Sequence, residues 1–386
     1  MARTTERLPL KGNSPGTGQE VMLHRYGSPG NGPKAYLQAS LHADETPGMM
    51  VMHHLIPLLD RADEEGRLSG EIVVIPYANP IGLGQIVNQS QLGRYALNGD
   101  GNFNRNWPDL VALAGDTALD ELERKLSDDA LKNTIAIRQL FRRVLLEREP
   151  RDLLESLRLT LAREAVDADI VLDLHCDDDA LMHAFLIPQH WPEAADLVAE
   201  LECRAALLAE DSGGASFDEA FSTPWIKLAK RYPDCSILPA CLAATVELRG
   251  RNDVSDELGR KDAAALFNFL RHRGFIRSEG ADPEIPALLC EATDLAATDV
   301  VRSPAAGILA YNVDIGDQIR KGEVVAWLID PAAEQPLEGR QAIKAGTSGL
   351  VLSRNSHKYV SAKDSIAKIV GKDLIEGRDG GYLLED

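Results

Sequence analysis

Three apolar runs, each ending in a chemically reactive side chain, constrain the fold more than any other feature of this sequence. The runs and the residues that end them are 35–41 with His42, 169–174 with His175, and 240–246 with Glu247. Segments of helical length separate the runs, and this alternation is typical of βαβ units in a largely parallel sheet. Ligands of such sheets bind beyond the carboxyl ends of the strands. We therefore expect the three side chains to meet there.

The turn after the first run carries a second ligand-type side chain. Glu45 lies three residues after His42, and Thr46 and Pro47 then open a helix predicted at about 47–64, as its N-cap and first residue. A short turn can aim an imidazole nitrogen and a carboxylate at one point, and zinc accepts both ligand types. With the histidine that ends the second run, they make the two-histidine, one-glutamate set of zinc hydrolases, in which water takes the fourth position.

The overall charge and the cysteines exclude several classes of protein. The chain has a net charge of −19, whereas nucleic acids and anionic membranes attract clustered lysine and arginine. The five cysteines are odd in number and contain no CxxC pair, which argues against a disulfide framework. The first residues lack an apolar signal core, and no run approaches the roughly 18 apolar residues of a membrane helix. We expect a soluble, cytoplasmic protein with no nucleic-acid or membrane partner.

The chain is long enough for two domains, and its character changes near its last quarter. At 386 residues it exceeds a usual single domain. Residues 275–298 resemble a linker, and two similar runs of short strands and glycine turns follow at 303–330 and 345–371. Internal repetition of this kind predicts a small all-β unit of two equivalent halves. We therefore predict domains at 1–290 and 291–386.

Other elements follow from apolar periodicity. We predict strands at 20–24, 71–76 and 184–188, two helices within 117–168, and helices at 192–209, 218–231 and 255–274. Residues 84–110 are predicted to form a long loop, and a loop of this length in a compact domain is usually functional or disordered.

The order of four short motifs resembles a known group of enzymes. The motifs are HxxE at 42–45, Asn-Arg at 104–105, Asp-Leu-His at 173–175 and Glu-Leu-Arg at 247–249. This order is similar to that of the zinc carboxypeptidase-like superfamily, and within it of the succinylglutamate desuccinylase/aspartoacylase family, over residues 35–270. The resemblance implies an α/β fold with a mixed, largely parallel central sheet flanked by helices.

The same resemblance implies a role for seven residues. It implies that His42, Glu45 and His175 are ligands of one zinc ion per chain. It also implies that Glu247 acts as general base and then as general acid, that Arg94 polarises the scissile carbonyl, and that Asn104 and Arg105 bind the substrate carboxylate. The chemistry fits, because zinc lowers the pKa of bound water to about 7 and an arginine fork binds a carboxylate bidentately.

The C-terminal segment resembles the biotinyl/lipoyl-like barrel-sandwich domain. The modified lysine of that family sits in a Met-Lys hairpin, but this chain has no Met-Lys pair between its halves, and Lys344 lies too close to the second half. We expect no biotin or lipoate, and a domain that shields the cleft or mediates assembly.

Several residues near the predicted site leave alternatives open. The acidic run Asp177–Asp179 could disfavour an anionic substrate or recruit a cationic one such as a diamino acid derivative. A solvated or helix-capping acidic turn is the simpler interpretation, and a second metal is the least favoured. His183 is a candidate for lining the cleft, with a satisfied structural histidine favoured. Cys176 lies beside a ligand, and we expect an inert buried thiol.

The leading functional prediction is a zinc-dependent amidohydrolase that removes the acyl group from an N-acyl amino acid. The partner is then a small molecule, and a homo-oligomer is left open. A zinc metallocarboxypeptidase acting on peptides keeps the site and changes the substrate. A non-catalytic binding protein with the same fold is the third interpretation, and an intact Glu247 argues against it.

Overall fold

The computed structural model describes residues 3–12, 14–30, 32–99, 101–278 and 280–378. Its helices in these ranges are α1 Pro47–Glu64, α2 Pro80–Leu83, α3 Leu110–Glu123, α4 Ala130–Leu146, α5 Leu153–Ala165, α6 Ala195–Glu200, α7 Glu219–Arg231 and α8 Asp256–His272.

The strands fall into two groups. Those that precede the C-terminal region are β1 Thr4–Pro9, β2 Glu20–Tyr26, β3 Lys34–Ala39, β4 Glu71–Ile75, β5 Ile86–Val87, β6 Ser90–Gln91, β7 Tyr95–Ala96, β8 Gly101–Asn102, β9 Ile170–Asp177, β10 Asp179–Ala180, β11 His183–Leu186, β12 Ala205–Leu208, β13 Leu242–Gly250 and β14 Ala292–Asp294. Those of the C-terminal β region, residues 298–370, are β15 Thr298–Arg302, β16 Gly307–Tyr311, β17 Gln318–Ile319, β18 Val324–Ile329, β19 Arg340–Lys344, β20 Gly349–Arg354, β21 Tyr359–Val360 and β22 Ser365–Val370.

A mixed sheet of nine strands organises the molecule. Its order is β1-β2-β4-β3-β9-β13-β11-β12-β14. The four central strands β4, β3, β9 and β13 run parallel, whereas β2 and β11 are antiparallel to their central neighbours. The predicted fold class, a largely parallel α/β sheet with small β sheets at the C-terminus, is confirmed.

Alternating side chains give the sheet two buried faces. Leu37 and Leu172 contribute to a core shared with α1, α6 and α8, while Tyr36 and Val171 contribute to a core shared with α3, α4, α5 and α7. Because side chains alternate along a strand, the odd-numbered residues of β9 and β13 face α7. Polar residues at the carboxyl ends of these strands therefore emerge on that face.

The C-terminal β region packs two antiparallel sheets around one core. One sheet has the order β19-β18-β16-β21, and the other has the order β10-β20-β22-β15 with β17 beside β20. Apolar side chains from both sheets, such as Val325 and Ile369, share this core. The second sheet takes in β10, so a strand from the first part of the chain joins it directly.

Some predicted elements differ from the structure. Residues 117–168 fall across three helices, α3 to α5, rather than two, and the predicted helix 192–209 is a short α6 followed by the strand β12. The domain boundary at 290 stays a prediction, and β14 at Ala292–Asp294 belongs to the nine-stranded sheet. Among the described residues, no helix combines the length and apolarity needed to cross a membrane.

Candidate active site

A tight turn at the carboxyl end of β3 carries the first two site residues. Ser40 has a left-handed φ of 57°, which ends the strand, and its hydroxyl donates to the carbonyl oxygen of Glu45 at 2.8 Å. The backbone N–H of Glu45 donates to the carbonyl oxygen of His42 at 3.1 Å. The turn is thus fixed from both ends, and it presents His42 and Glu45 on one side.

Three buried side chains converge as the sequence predicts. Glu45 lies between two imidazoles, with Oε1 2.8 Å from Nδ1 of His42 and Oε2 2.9 Å from Nδ1 of His175. One potential ligand atom from each residue lies within 4.8 Å of the other two, and this is the metal-capable group found in the described part of the chain.

Each imidazole is held by a hydrogen bond at its far nitrogen. Nε2 of His42 lies 2.8 Å from Oδ1 of Asn102, and Nε2 of His175 lies 2.8 Å from Oδ2 of Asp173. Asp173 in turn accepts a bond from Nε2 of Gln38 at 3.0 Å. Metal-binding histidines are usually oriented in this way, so Nδ1 of each ring is left to face a ligand. The residues present therefore fit a divalent metal.

Glu247 faces this group from the neighbouring strand. It is in register with His175 on β9 and with His183 on β11. Burial and the negative charge of Glu45 raise the pKa of Glu247 to about 8. Its Oε2 atom is buried and has no hydrogen-bond partner among the described residues.

Arg94 lies in the loop between β6 and β7 and reaches the ligand group itself. Its Nη1 atom donates to Oε1 of Glu45 at 3.1 Å and lies 3.1 Å from Nδ1 of His42. The side chain is 29% exposed, so it also borders the cavity. The structure therefore brings Arg94 together with the predicted ligands.

Asn104 and Arg105 border the same cavity in different ways. Asn104 is buried, its Oδ1 atom accepts the backbone N–H of Phe217 at 2.8 Å, and its Nδ2 lies 3.4 Å from Nε2 of His175. The Nη1 atom of Arg105 donates to the carbonyl oxygen of Asn104 at 2.9 Å. A Cβ atom at Gly214 would lie 2.4 Å from Cδ of Arg105. The absence of a side chain there leaves room for the Arg105 stem.

The acidic run Asp177–Asp179 is engaged with basic side chains. Asp177 pairs with Lys368, Asp178 lies 3.1 Å from Arg251, and Asp179 lies 2.8 Å from Arg354. Lys368 and Arg354 belong to the C-terminal β region. The run therefore fastens that region to the central sheet, which favours a structural role over recruitment of a cationic substrate or a second metal.

One cavity of about 730 Å³ joins these features. Residues of the central sheet line one side, and Ser353, Asn355 and Lys368 of the C-terminal β region line another. Sequence reasoning did not place these three residues, nor Asp218, beside the site. The role of Asp173 was not assigned from the sequence, although its position two residues before His175 on a strand places both on one face.

Two candidates from the sequence remain, Cys176 and His183. Burial raises the pKa of Cys176, so its thiol stays protonated, in keeping with the inert thiol expected. Nδ1 of His183 lies 2.8 Å from the carbonyl oxygen of Leu181, and its Nε2 atom is buried without a partner among the described residues.

A comparison with protein families decides the classification. Residues 31–273 match the succinylglutamate desuccinylase/aspartoacylase catalytic domain. The chain belongs to this family.

Relatives of similar length extend the comparison. The N-alpha-acetyl-L-2,4-diaminobutyric acid deacetylase of Halomonas elongata is 24% identical over 376 residues, which cover 94% of this chain and 89% of that protein. A crystal structure of a family member from Shewanella amazonensis has a TM-score of 0.79 at 22% identity, covering 96% of this chain and 99% of that chain. The product-bound ectoine utilization protein EutE (DoeB) of Ruegeria pomeroyi has a TM-score of 0.62 at 19% identity, covering 96% and 95%. At these identities the structures show a shared fold.

Proposed function

We propose that this chain is a zinc-dependent amidohydrolase that removes the acyl group from an N-acyl amino acid. The observation that carries the proposal is the buried group of His42, Glu45 and His175, with the far nitrogen of each imidazole already held and Glu247 in register beside it. Membership of the desuccinylase/aspartoacylase family supports hydrolysis of a linear amide bond.

A zinc ion at this group would polarise the amide carbonyl and lower the pKa of water to about 7. Glu247 takes a proton from the attacking water and gives it to the nitrogen of the leaving amine, as the carbon–nitrogen bond breaks. A carboxyl with a pKa raised to about 8 by burial and by Glu45 can both accept and return a proton near neutral pH. The proton that Glu247 takes from water is therefore the one that the leaving amine receives.

Three polar side chains orient the substrate in this proposal. Arg94, which borders the cavity beside Glu45, is assigned to the carbonyl oxygen, where a guanidinium stabilises developing negative charge. Arg105 lines the cavity further along and is assigned to the free carboxylate, which it can bind with two parallel hydrogen bonds. Asn104 holds the backbone before α7 and offers its amide to the same carboxylate.

The size and closure of the cavity favour a small substrate over a peptide. A volume of about 730 Å³ lies within the range of small-molecule sites, and the C-terminal β region forms one of its walls. The relative from Halomonas elongata is named for a deacetylase of an N-acetylated diamino acid, and we propose an N-acetyl amino acid as the substrate class for this chain.

The test combines metal analysis with an amine-release assay. We expect about one zinc ion per chain, release of amine from some members of an N-acetyl amino acid panel, and none from dipeptides. Glu247→Gln should keep its metal and lose activity by about 10²–10⁴-fold, the range of general acid–base catalysis. Activity of Glu247→Gln equal to that of the unmodified protein would overturn the mechanism, and cleavage of dipeptides alone would indicate a carboxypeptidase.

A further inference from the structure

A tight turn at residues 102–105 carries side chains for both parts of the proposed site. Oδ1 of Asn102 lies 2.8 Å from Nε2 of His42 and accepts the backbone N–H of Asn104 at 2.8 Å. The backbone N–H of Arg105 donates to the carbonyl oxygen of Asn102 at 3.3 Å, which closes the turn. One short segment therefore orients an imidazole of the proposed metal site and presents the two residues assigned to the substrate carboxylate.

Arg158 on α5 holds this turn from behind. Its Nη2 atom donates to the carbonyl oxygen of Arg105 at 2.7 Å and lies 3.5 Å from the carbonyl oxygen of Asn102. These carbonyl groups belong to the last and first residues of the turn, so one guanidinium contacts both of its ends. The side chain of Arg158 borders a separate cavity of about 450 Å³ rather than the one that contains the site.

The opposite side of the segment is held by the loop before α7. The backbone N–H of Asn106 donates to the carbonyl oxygen of Gly214 at 2.7 Å, and that of Trp107 donates to the carbonyl oxygen of Ala215 at 3.0 Å. Asn106 has a left-handed φ of 57°, a conformation that persists where neighbouring contacts stabilise it. The turn is thus held between this loop and α5, and removal of the Arg158 guanidinium releases one side of it.

We propose that Arg158 is a positioning residue that fixes the turn at 102–105 for both metal binding and substrate binding. A hydrogen bond from a guanidinium to a carbonyl oxygen is charge-assisted, and such bonds are stronger than those between neutral groups. Through Asn102 the bond stabilises the orientation of His42, and through the backbone of Arg105 it stabilises the place of the substrate-binding side chains. The inference rests on the proposed function, in which Asn104 and Arg105 bind the carboxylate.

The substitution Arg158→Met should change substrate and zinc affinity more than the chemical step. We expect KM for the best substrate of the N-acetyl amino acid panel to rise by about 10-fold, the equivalent of one hydrogen bond. At saturating zinc, kcat should change little, because Glu247 and Arg94 lie on other segments. Zinc affinity should fall by roughly 3–10-fold, less than for loss of a direct partner of a ligand, since Arg158 acts on His42 through Asn102.

A second arginine of α5 provides the matched control. Arg163 also donates to backbone carbonyl oxygens, those of Leu145 at 3.0 Å and Arg148 at 2.6 Å. These carbonyl groups lie outside the turn at 102–105. Arg163→Met therefore removes the same kind of bond from the same helix, and it should lower Tm to a similar extent. Its KM and its zinc affinity, measured by competition with a chelator, should equal those of the parent.

A substrate without the carboxylate tests whether Arg158 acts through the substrate-binding residues. The primary amide of the same N-acetyl amino acid keeps the scissile bond and lacks the charge that Arg105 is assigned to bind. We expect kcat/KM for this amide to be equal in Arg158→Met and the parent. An equal loss for the amide and the carboxylate would overturn the proposed route through the turn.

A second variant covers failure of Arg158→Met to fold. Arg158→Gln ends two atoms short of the position of Nη2, so it removes the same contacts while leaving a polar group beside the second cavity. We expect the same rise in KM and the same loss of zinc affinity. Values of both quantities equal to those of Arg163→Met would overturn the role of Arg158.

The two proposals fail in different ways. Release of amine from no member of the panel would reject the proposed function, and the zinc titration alone would then decide whether Arg158 positions the turn. An active parent with unchanged KM and zinc affinity in the Arg158 variants would reject the positioning role and leave the hydrolase intact.

Discussion

At the scale of the residue, the histidines of the site depend on the groups behind them. Asp173 accepts from Nε2 of His175 and carries a charge that makes the ring a better ligand. Asp173→Asn keeps the shape but removes that charge and can present an N–H to the ring. We expect zinc affinity to fall by about 10–100-fold, measured by competition with a chelator. Asp116→Asn, which alters an exposed carboxylate paired with Arg231, is the control and should bind zinc normally.

We expect the stability of the protein to depend on pH through Asp218. Burial, together with the charges of Glu219 and Asp173, raises the pKa of Asp218 to about 6. The raised pKa of Asp218 then stabilises the fold by roughly 2–3 kcal/mol at pH values below its unfolded-state pKa of about 3.9. This stabilisation is lost as the pH rises through the folded-state pKa of about 6. Chemical denaturation across this window should show the loss, and Asp218→Asn should flatten it. An equal slope in the variant would contradict the assignment.

At the scale of single residues, the sequence predicts the site where side chains alternate along a strand with a period of two. His42, Glu45, His175 and Glu247 were predicted together because three strand ends meet at one edge of a parallel sheet. The position of His183 opposite Glu247 in the sheet was not predictable, because it depends on which strand lies beside β13 and in which register. That choice is made by packing between segments distant in sequence.

At the scale of the element, α1 shows how closely a helix must approach the sheet to hold the ligand turn. A Cβ atom at Gly48 would lie 2.9 Å from Cβ of Ala39 and 3.3 Å from Cβ of Leu174. Gly48→Ala should therefore push α1 away from β3 and β9 and destabilise the fold by about 1–3 kcal/mol, measured by urea denaturation. It should also weaken zinc binding, because the turn between β3 and α1 moves.

A control on the same helix keeps this prediction specific. His53 is exposed on α1, and His53→Ala should change neither stability nor zinc affinity. A Gly48→Ala variant as stable as the parent would show that the helix and sheet can separate at no cost.

The elements that could be predicted are those with local signals. Helix α1 has the predicted bounds because Pro47 fixes its start and an apolar stripe runs to its end. The prediction for 192–209 was wrong because Ala205–Leu208 is rich in helix formers yet pairs as a parallel strand with β11 and β14. Burial at a sheet position outweighed local propensity there.

At the scale of the whole molecule, the C-terminal β region and the central sheet share one cavity. The pair of Asp177 and Lys368 joins residues 191 positions apart, so the sequence showed an acidic run but not its partners. A repeat pattern predicted the β region as a unit, whereas its attachment beside His175 arises only from the folded arrangement. This attachment makes the region part of the site rather than an appendage.

The ion pair of Asp177 with Lys368 is the part of this attachment that substitutions can test. Asp177 and Lys368 have side chains about one-fifth exposed, and removing one partner of a largely buried pair leaves the other charge unpaired. Lys368→Met should lower the free energy of unfolding by about 3 kcal/mol, and the double variant Asp177→Asn/Lys368→Met should recover most of it. Lys372→Met, whose pair with Glu291 is more than 80% exposed, should have no measurable effect. Equal stability of Lys368→Met and Lys372→Met would mean that this ion pair does not hold the region in place, and that its attachment depends on the apolar cluster that includes Leu207, Leu295 and Leu352.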